Sequence, residues 1–292
     1  RNRIAEAGII EGNLGEMRVT RTEISDEELR LKTKLRTASA LTEVGNHYKE
    51  FGLDAKADLK YGEALTVCED ILARAQEVGG EFLEETYVAL WRVYFAMDQL
   101  DLALSMSRRL LKEFPQSTFV DEAMIQQAHV ERKRENFTQA INLYATLAKL
   151  PDSDLRGEGP CFVGQCYEEM ALKSLGKGAD PLFEKAFLAY QKVYENFPES
   201  GRVGDAVAKM AAFYYQKEDY ARAVDVFENV LADYPDANFL DVILFNYGRC
   251  LYKLGRKDEA RRKFDQLLRD FPESEIAPEA KKIVDALKGG AE

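Results

Sequence analysis

The sequence predicts an all-α protein built as a row of helical hairpins. Ala, Leu, Glu, Lys and Arg dominate its 292 residues and alternating Val-, Ile- and Thr-rich runs are scarce, so helices are favoured over strands. An aromatic-proline motif recurs at a nearly constant interval. Small residues precede these prolines at fixed distances, as expected where two packed helices come closest.

The repeat interval is set by five prolines, Pro115, Pro151, Pro198, Pro235 and Pro272, whose separations are 36, 47, 37 and 37 residues. A unit of about 36 residues is therefore repeated, and one copy holds about ten extra residues. Proline cannot continue a helix and biases the residue before it away from helix. Each proline is predicted to end the second helix of a hairpin, and a Ser, Asp or Asn just beyond it to cap the next helix.

Each unit divides into two helices at its small residues. Gly248 and Ala260 precede Pro272 by 24 and 12 residues. Antiparallel helices whose axes are about 8–10 Å apart need such small residues at the crossing. Phe264, one turn after Ala260, is expected to fill the space between this hairpin and the next. The unit that ends at Pro235 has the same pattern.

These spacings resemble those of tetratricopeptide repeat (TPR) proteins. Residues 239–272 match best, residues 203–235 nearly as well, and residues 84–115 and 121–151 more weakly. The residues of the best unit at the signature spacing are Leu244, Tyr247, Gly248, Leu251, Ala260, Phe264, Leu267 and Pro272. The resemblance implies an α-α superhelix, a TPR solenoid of about six hairpins with a C-terminal capping helix.

On this interpretation the chain has three parts. Residues 1–37 form an N-terminal helical segment or the remainder of an upstream hairpin. Residues 38–274 form the TPR array, with an insertion near residues 174–182 and a long connection between the helices of the first unit. Residues 275–292 form the capping helix and tail. Because the chain starts at an arginine, a processed or trimmed protein is expected, whose signal peptide or lipid anchor would precede Arg1.

Charge and composition exclude several classes of protein. The formal net charge is −11 and the pI about 5.0, which disfavours nucleic-acid binding. No apolar run approaches the roughly 20 residues of a membrane-spanning helix. Neither a catalytic motif nor a metal-binding motif is present, so neither enzymatic activity nor a cofactor is expected. The four cysteines are expected to be buried or semi-buried free thiols: Cys68, Cys161, Cys166 and Cys250.

The TPR resemblance implies that the first helix of each hairpin lines a groove for protein or peptide partners. The predicted partner-binding residues are Asn46, Lys49, Arg92, Phe95, His129, Arg132, Lys133, Tyr215, Phe245, Arg249, Tyr252 and Lys253. The same mapping places Gln165, Glu168 and Glu169 in the groove. Aromatic and Arg residues are enriched at binding hot spots. Arg92, Arg132 and Lys133 are expected to meet acidic groups of the partner, or else to be solvated helix faces.

Three functions remain open at this point. Linkers such as "FPES" and "YPDA" are similar to those of periplasmic Tol-Pal accessory proteins and outer-membrane assembly lipoproteins, which implies a non-catalytic interaction scaffold in a bacterial cell-envelope complex. The alternative is a regulatory or substrate-recruiting module of a larger enzyme or signalling protein, with a cytoplasmic location. Self-association by end-to-end stacking is the third. Thr42 stands where chaperone-binding TPR proteins have a lysine, so that activity is disfavoured.

Overall fold

A computed structural model describes residues 26–78, 80–150, 153–174 and 178–289. These residues form thirteen helices and no strand, which confirms the predicted all-α class of helical hairpins. The helices are α1 (Asp26–Glu50), α2 (Asp54–Val78), α3 (Gly80–Ala96), α4 (Leu100–Glu113), α5 (Val120–Lys133), α6 (Phe137–Leu147), α7 (Glu158–Lys173), α8 (Ala179–Asn196), α9 (Val203–Gln216), α10 (Tyr220–Asp233), α11 (Leu240–Lys253), α12 (Lys257–Asp270) and α13 (Ala277–Gly289).

The chain divides into two compact units at Met97 and Asp98. Unit 1 contains α1 to α3, and its core includes Tyr61, Ala64 and Val93. Unit 2 contains α4 to α13, and each of its helices packs against the next one along the chain. In both units the fold is held by contacts between neighbours in sequence, as expected of a repeat protein.

The predicted small residues let aromatic rings enter the hairpins. A Cβ atom added to Gly45 would lie 2.4 Å from the ring of Tyr61, and one added to Gly248 would lie 2.7 Å from the ring of Phe264. Since real Cβ atoms do not approach other atoms so closely, glycine is required for this packing. Both aromatic side chains are buried, as the repeat pattern predicts for Phe264.

Short turns with a left-handed residue connect the two helices of most hairpins. Gly52 and Gly255 have φ of 69° and 77°, a conformation that glycine adopts without steric cost. Acidic residues take the same conformation in three other turns, with φ of 63° at Asp98 and Glu135 and 57° at Glu218. A non-glycine residue there strains the backbone by about 1–2 kcal/mol.

The aromatic-proline motifs end the second helices of the hairpins. At the last motif α12 stops at Asp270, and the N–H of Phe271 still donates to the carbonyl of Leu267, at 2.8 Å. Ser274 Oγ then accepts the N–H of Ile276 at 3.3 Å. Equivalent serine turns follow three of the other four motifs, at Ser117, Ser153 and Ser200, whereas the motif at Pro235 has Ala237 at this position. Pro151 of the second motif lies outside the described residues.

The N-terminal hairpin differs from the prediction. Residues 26–50 form one continuous helix, so the expected boundary at residue 37 falls inside α1. The predicted long connection is only three residues, 51–53, because residues 54–59 are helical. Neither residues 26–44 nor residues 54–59 contain a Gly or Pro, and their many Ala, Leu and Lys residues favour helix. Residues 1–25 of the predicted N-terminal segment lie outside the described residues.

The predicted insertion and capping helix lie in unit 2. Helix α7 ends at Lys173, α8 begins at Ala179 with Pro181 in its first turn, and residues 175–177 between them lie outside the described residues. Helix α13 packs against α12, and its Ala280 and Val284 are part of the core. Residues 290–292 of the predicted tail also lie outside the described residues.

All four cysteines are buried and free, as predicted. Burial raises the pKa of the Cys68 thiol to about 12 and that of each of the other three to about 11. Thiols with such pKa values are poor nucleophiles, so the cysteines act as small packing residues. None of the described helices is long and apolar enough to cross a membrane.

Candidate functional site

Unit 1 holds four of the twelve predicted partner-binding residues, on α1 and α3. Asn46 accepts a hydrogen bond from the hydroxyl of Tyr61 at 2.9 Å through its side-chain oxygen. Lys49 Nζ donates to the main-chain oxygen of Ala96, at 2.8 Å, and so joins α1 to the end of α3. Arg92 is exposed and Phe95 is half-buried on α3. These four residues thus lie on neighbouring helices of one unit, and Asn46 and Lys49 already make polar contacts inside it.

In unit 2 the cations of α5 are bound to acids of the same chain. Arg132 donates to Gln165 Oε1 at 2.6 Å through Nη1 and to Glu169 Oε1 at 2.9 Å through Nε. Lys133 Nζ lies 2.7 Å from a carboxylate oxygen of Asp98. We call this group the paired region: Asp98, His129, Arg132, Lys133, Gln165 and Glu169. Its cations are neutralised within the protein, which sequence mapping alone did not predict.

His129 belongs to the same region and is largely removed from solvent. Its Nδ1 lies 2.5 Å from the hydroxyl oxygen of Tyr144, and its ring meets Phe162 edge-on, with centroids 4.8 Å apart. Burial, followed by the positive charges of Arg132 and Arg202, lowers the pKa of His129 to about 4. His129 is therefore neutral at physiological pH and is part of the core packing as well as of the predicted groove.

Four other predicted residues meet in one pocket of about 420 Å³. Tyr215 comes from α9, whereas Arg249, Tyr252 and Lys253 come from α11. We call this the C-terminal pocket. Its remaining lining residues are Phe264 of α12 and, from α13, Glu279, Lys282, Ile283, Ala286 and Leu287.

Half of this pocket is made by the helix that sequence analysis treats only as a cap. Ile283 and Leu287 are one turn apart on α13 and supply part of the apolar wall, and Lys282 stands beside them. Their spacing of four residues is the signal for one helix face, but it does not reveal that this face lines a cavity. The pocket therefore combines predicted residues of α9 and α11 with unpredicted ones of α13.

The charges of the C-terminal pocket differ from those of the paired region. Within the part of the chain that the structure describes, no carboxylate lies within 4.0 Å of the side-chain nitrogens of Arg249, Lys253 or Lys282. The guanidinium of Arg249 lies over the ring of Tyr215, 5.1 Å from its centroid. One acid, Glu279, also lines the pocket, so its lining side chains carry a net positive charge. An exposed Arg and two Tyr around an apolar wall are suited to bind an acidic and apolar segment.

Phe245 lies in the core of unit 2. Its side chain is 7% exposed and packs against Phe264, with ring centroids 5.7 Å apart. Arg249 and Tyr252 lie four and seven residues after Phe245, on the same face of α11, and line the pocket, so successive turns of this face have different surroundings. A partner would reach little of the Phe245 ring.

Two smaller cavities continue along the same helices. A cavity of about 200 Å³ between α9 and α11 shares Tyr215 and Arg249 with the C-terminal pocket. A third, of about 30 Å³, shares Ala212 and Gln216 with the second and reaches Glu168 of α7. The first helices of consecutive hairpins in unit 2 therefore carry one continuous series of cavities. In the described residues, no cluster of His, Cys, Asp and Glu is suited to hold a metal ion.

Comparisons with known proteins agree with the repeat pattern. Two family models, each described as a tetratricopeptide repeat, match residues 92–117 and 214–283. No curated protein matches the chain. Neither matching family model describes an enzyme.

Solved structures include proteins with a similar arrangement of helices. The apo form of RapI is 13% identical over 89% of this chain and 71% of its own, with a TM-score of 0.55. TTC0263, a thermophilic TPR protein of Thermus thermophilus, is 19% identical over 70% of this chain and 98% of its own, with a TM-score of 0.43. PilW, a type IV pilus biogenesis factor, is 16% identical over 82% and 96%, with a TM-score of 0.46. The likeness to RapI supports the fold alone.

The repeat spacing, the glycine-aromatic contacts and the two family matches together identify the chain as one that contains tetratricopeptide repeats, which serve as modules for protein–protein interaction.

Proposed function

We propose that this chain is a non-catalytic scaffold that binds a segment of a partner protein on the first helices of unit 2, with the C-terminal pocket as the main contact. The observation that carries the proposal is the meeting of Tyr215, Arg249, Tyr252 and Lys253 in one cavity. The cavity is large enough to hold a few side chains, and binding sites of roughly 300–1,000 Å³ are typical for small ligands.

The chemistry of the pocket favours a segment that is both acidic and apolar. Arg249, Lys253 and Lys282 attract carboxylates, and the wall that includes Ile283 and Leu287 accommodates aliphatic or aromatic side chains. The whole chain has a formal net charge of −11, so this cationic surface stands out from the rest of the protein. The paired region is not proposed as the site that binds the partner's carboxylates, because Arg132 and Lys133 are already bound to internal acids.

The proposal is tested by selecting peptides from a random display library on the wild-type chain and measuring their affinity by fluorescence polarisation. Replacing Arg249 and Lys253 by Glu is expected to weaken the best peptide by at least about tenfold, because hot-spot residues typically contribute more than about 1 kcal/mol each. The matched control replaces Lys257 and Arg262 of α12 by Glu, since both are exposed and neither lines the pocket. Equal weakening by both variants would reject the pocket as the binding site.

We also propose that the partner complex lies in a bacterial cell envelope, with the chain in the periplasm. The support for this location is the similarity of the "FPES" and "YPDA" linkers to those of envelope TPR proteins. A cytoplasmic recruiting module of a larger enzyme is not favoured, since no enzyme family matches. Fractionation of the native cells is expected to recover the protein in the osmotic-shock or membrane fraction. Recovery in the cytosol alone would contradict the envelope location and leave the peptide-binding proposal standing.

A further inference from the structure

Helix α13 has more apolar surface than its packing on the array requires. Ala280 and Val284 are buried in the core of unit 2. Ile283 and Leu287, on the adjacent side of the helix, are only half-buried and line the C-terminal pocket. The last element of a repeat array normally presents a polar surface to solvent. The contacts among the described helices therefore do not account for this second apolar strip.

The same pocket brings together exposed cations. Arg249 and Lys253 are exposed on α11 and Lys282 is exposed on α13, and Glu279 is the one acid among the described residues that line the pocket. These cations lie beside the apolar strip, and in the described part of the chain no carboxylate comes within 4.0 Å of them. A segment that fills the pocket therefore needs acids next to apolar side chains, without basic residues of its own.

This chain contains a segment of that chemistry, outside the described residues. Residues 4–17 have the sequence "IAEAGIIEGNLGEM", with three Glu residues and no Lys or Arg. Their apolar residues include the pair Ile9 and Ile10, which is directly followed by Glu11. A longer run without Lys or Arg, residues 223–248, is unsuitable, because it lies in α10 and α11 and many of its apolar side chains form the core.

We propose that residues 4–17 of this chain bind in the C-terminal pocket, with Ile9 and Ile10 against the apolar strip of α13 and the glutamates beside the cations. The inference rests on the proposed function, since it assigns an occupant to the same pocket. Charge supports the match as well as hydrophobicity, because three acids without a basic residue meet three cations with one acid. Every copy of the chain carries one such segment for each pocket, so a partner protein has to displace it.

A fluorescein-labelled peptide of residues 4–17 tests this occupant by fluorescence polarisation on the full chain. The pocket variant, Arg249→Glu with Lys253→Glu, is expected to bind this peptide at least about tenfold more weakly than wild type. The control variant, Lys257→Glu with Arg262→Glu, makes the same change of charge outside the pocket and is expected to bind it as wild type does. Equal affinity of all three chains, or equal weakening by both variants, would overturn the proposal.

A reversal of charge on the peptide separates direct pairing from damage to the fold. A peptide with Glu6→Lys, Glu11→Lys and Glu16→Lys is expected to bind the wild-type chain poorly and the pocket variant better, because opposite charges then face each other again. A misfolded variant would bind neither peptide. The proposed charge pairing is rejected if the lysine peptide does not bind the pocket variant more tightly than it binds wild type.

The full chain tests whether its own segment occupies the pocket. Ile9→Ser with Ile10→Ser removes the apolar pair and changes no residue of a described helix. This variant is expected to bind the library-selected peptide at least about threefold more tightly than wild type, because apparent affinity falls with the fraction of pockets that are free. Titration over a range of chain concentrations allows a segment of the same copy and one of a second copy to compete. Unchanged affinity at all concentrations would contradict the proposal.

The outcomes for the two peptides separate this inference from the proposed function. If the pocket variant weakens the library-selected peptide but not the peptide of residues 4–17, the pocket is retained as a binding site and its occupation by this segment is rejected. If the pocket variant weakens neither peptide, both proposals are rejected.

Discussion

The paired region and the C-terminal pocket lie on equivalent helices of unit 2 but use their cations differently. Arg132 on α5 is bound by Gln165 and Glu169 of the next hairpin, whereas Arg249 on α11 has no carboxylate within 4.0 Å in the described part of the chain. In the first region the charges join consecutive hairpins. In the second they remain available for a partner.

The difference originates in what the following repeat supplies. Glu169 stands 37 residues after Arg132, one repeat later, and its carboxylate reaches back to the guanidinium. The residue 37 positions after Arg249 is Ala286 of α13, which lines the pocket and carries no charge. Whether a groove cation of a repeat protein is available to a partner therefore depends on its neighbour in the next repeat as much as on its own position. Four predictions test the comparison, beginning with the largest effect.

The paired region is expected to be sensitive to acid through His129. Its pKa is lowered from 6.5 to about 4 in the folded protein, so the unfolded state binds more protons between these values. The free energy of unfolding therefore includes the full contribution of the neutral imidazole above pH 6.5. It is expected to decrease by about 1–3 kcal/mol as the pH falls toward 4. Denaturant unfolding at several pH values measures this loss. A His129→Asn variant is expected to lack this component of the pH dependence; an unchanged profile would contradict the burial of His129.

Packing, in contrast to charge, is expected to be as tight beside the C-terminal pocket as elsewhere. Gly248→Ala places a Cβ atom 2.7 Å from the ring of Phe264 and is expected to lower the free energy of unfolding by about 1–3 kcal/mol. Gly62→Ala is the control, because no atom lies within 4 Å of its added Cβ atom and alanine favours helix by about 1 kcal/mol. If Gly248→Ala were stabilised as Gly62→Ala is expected to be, the packing beside the C-terminal pocket would be looser than the contact with Phe264 indicates.

The two arginines are expected to differ in their contribution to stability. Arg132→Gln removes the contacts with Glu169 and Gln165, and should lower the free energy of unfolding by about 1–2 kcal/mol. Arg249→Gln is expected to change it by less than about 0.5 kcal/mol, since among the described residues this exposed side chain has only a long hydrogen bond to Asn246 and the contact with Tyr215. Urea unfolding of both variants provides the comparison. Equal losses would mean that Arg249 is also a structural residue.

The smallest effect is expected at the turns that precede α6 and α10. Glu135 and Glu218 both have positive φ, but Glu135 lies 2.5 Å from Lys173 through its carboxylate, whereas Glu218 has no ion pair in the described residues. Glu218→Gly should therefore raise the free energy of unfolding by about 0.5–1 kcal/mol, because glycine relieves the strain. Glu135→Gly should gain less, since it also loses the ion pair. Urea unfolding measures both changes, and a larger gain at Glu135 would show that this ion pair contributes nothing.

The sequence predicts the fold because the repeat is expressed in residues with strong local effects. Pro272 can only end a helix, and Gly248 is required where the ring of Phe264 enters. The boundary at residue 37 came from the repeat pattern alone, and it falls inside α1 because no helix-breaking residue marks it. The sequence repeat therefore predicts packing that recurs in every hairpin better than it predicts the places where one hairpin differs from the others.

The site is less predictable from sequence than the fold. Mapping by repeat position finds Arg249, Tyr252 and Lys253, which the structure brings into one pocket. It cannot show that Arg132 is bound by Glu169, since the choice of partner depends on side-chain geometry between hairpins.

The acidic turn residues have a mechanical consequence for unit 2. Asp98 and Glu135 each reach a lysine of the following hairpin, Lys133 and Lys173, from a turn at the edge of the stack. These exposed ion pairs weaken as ionic strength rises, whereas the aromatic contacts deeper in the hairpins do not. Higher ionic strength should therefore lower the resistance of this edge to bending without loosening the core. The bending stiffness of this part of the array would then depend on the salt concentration.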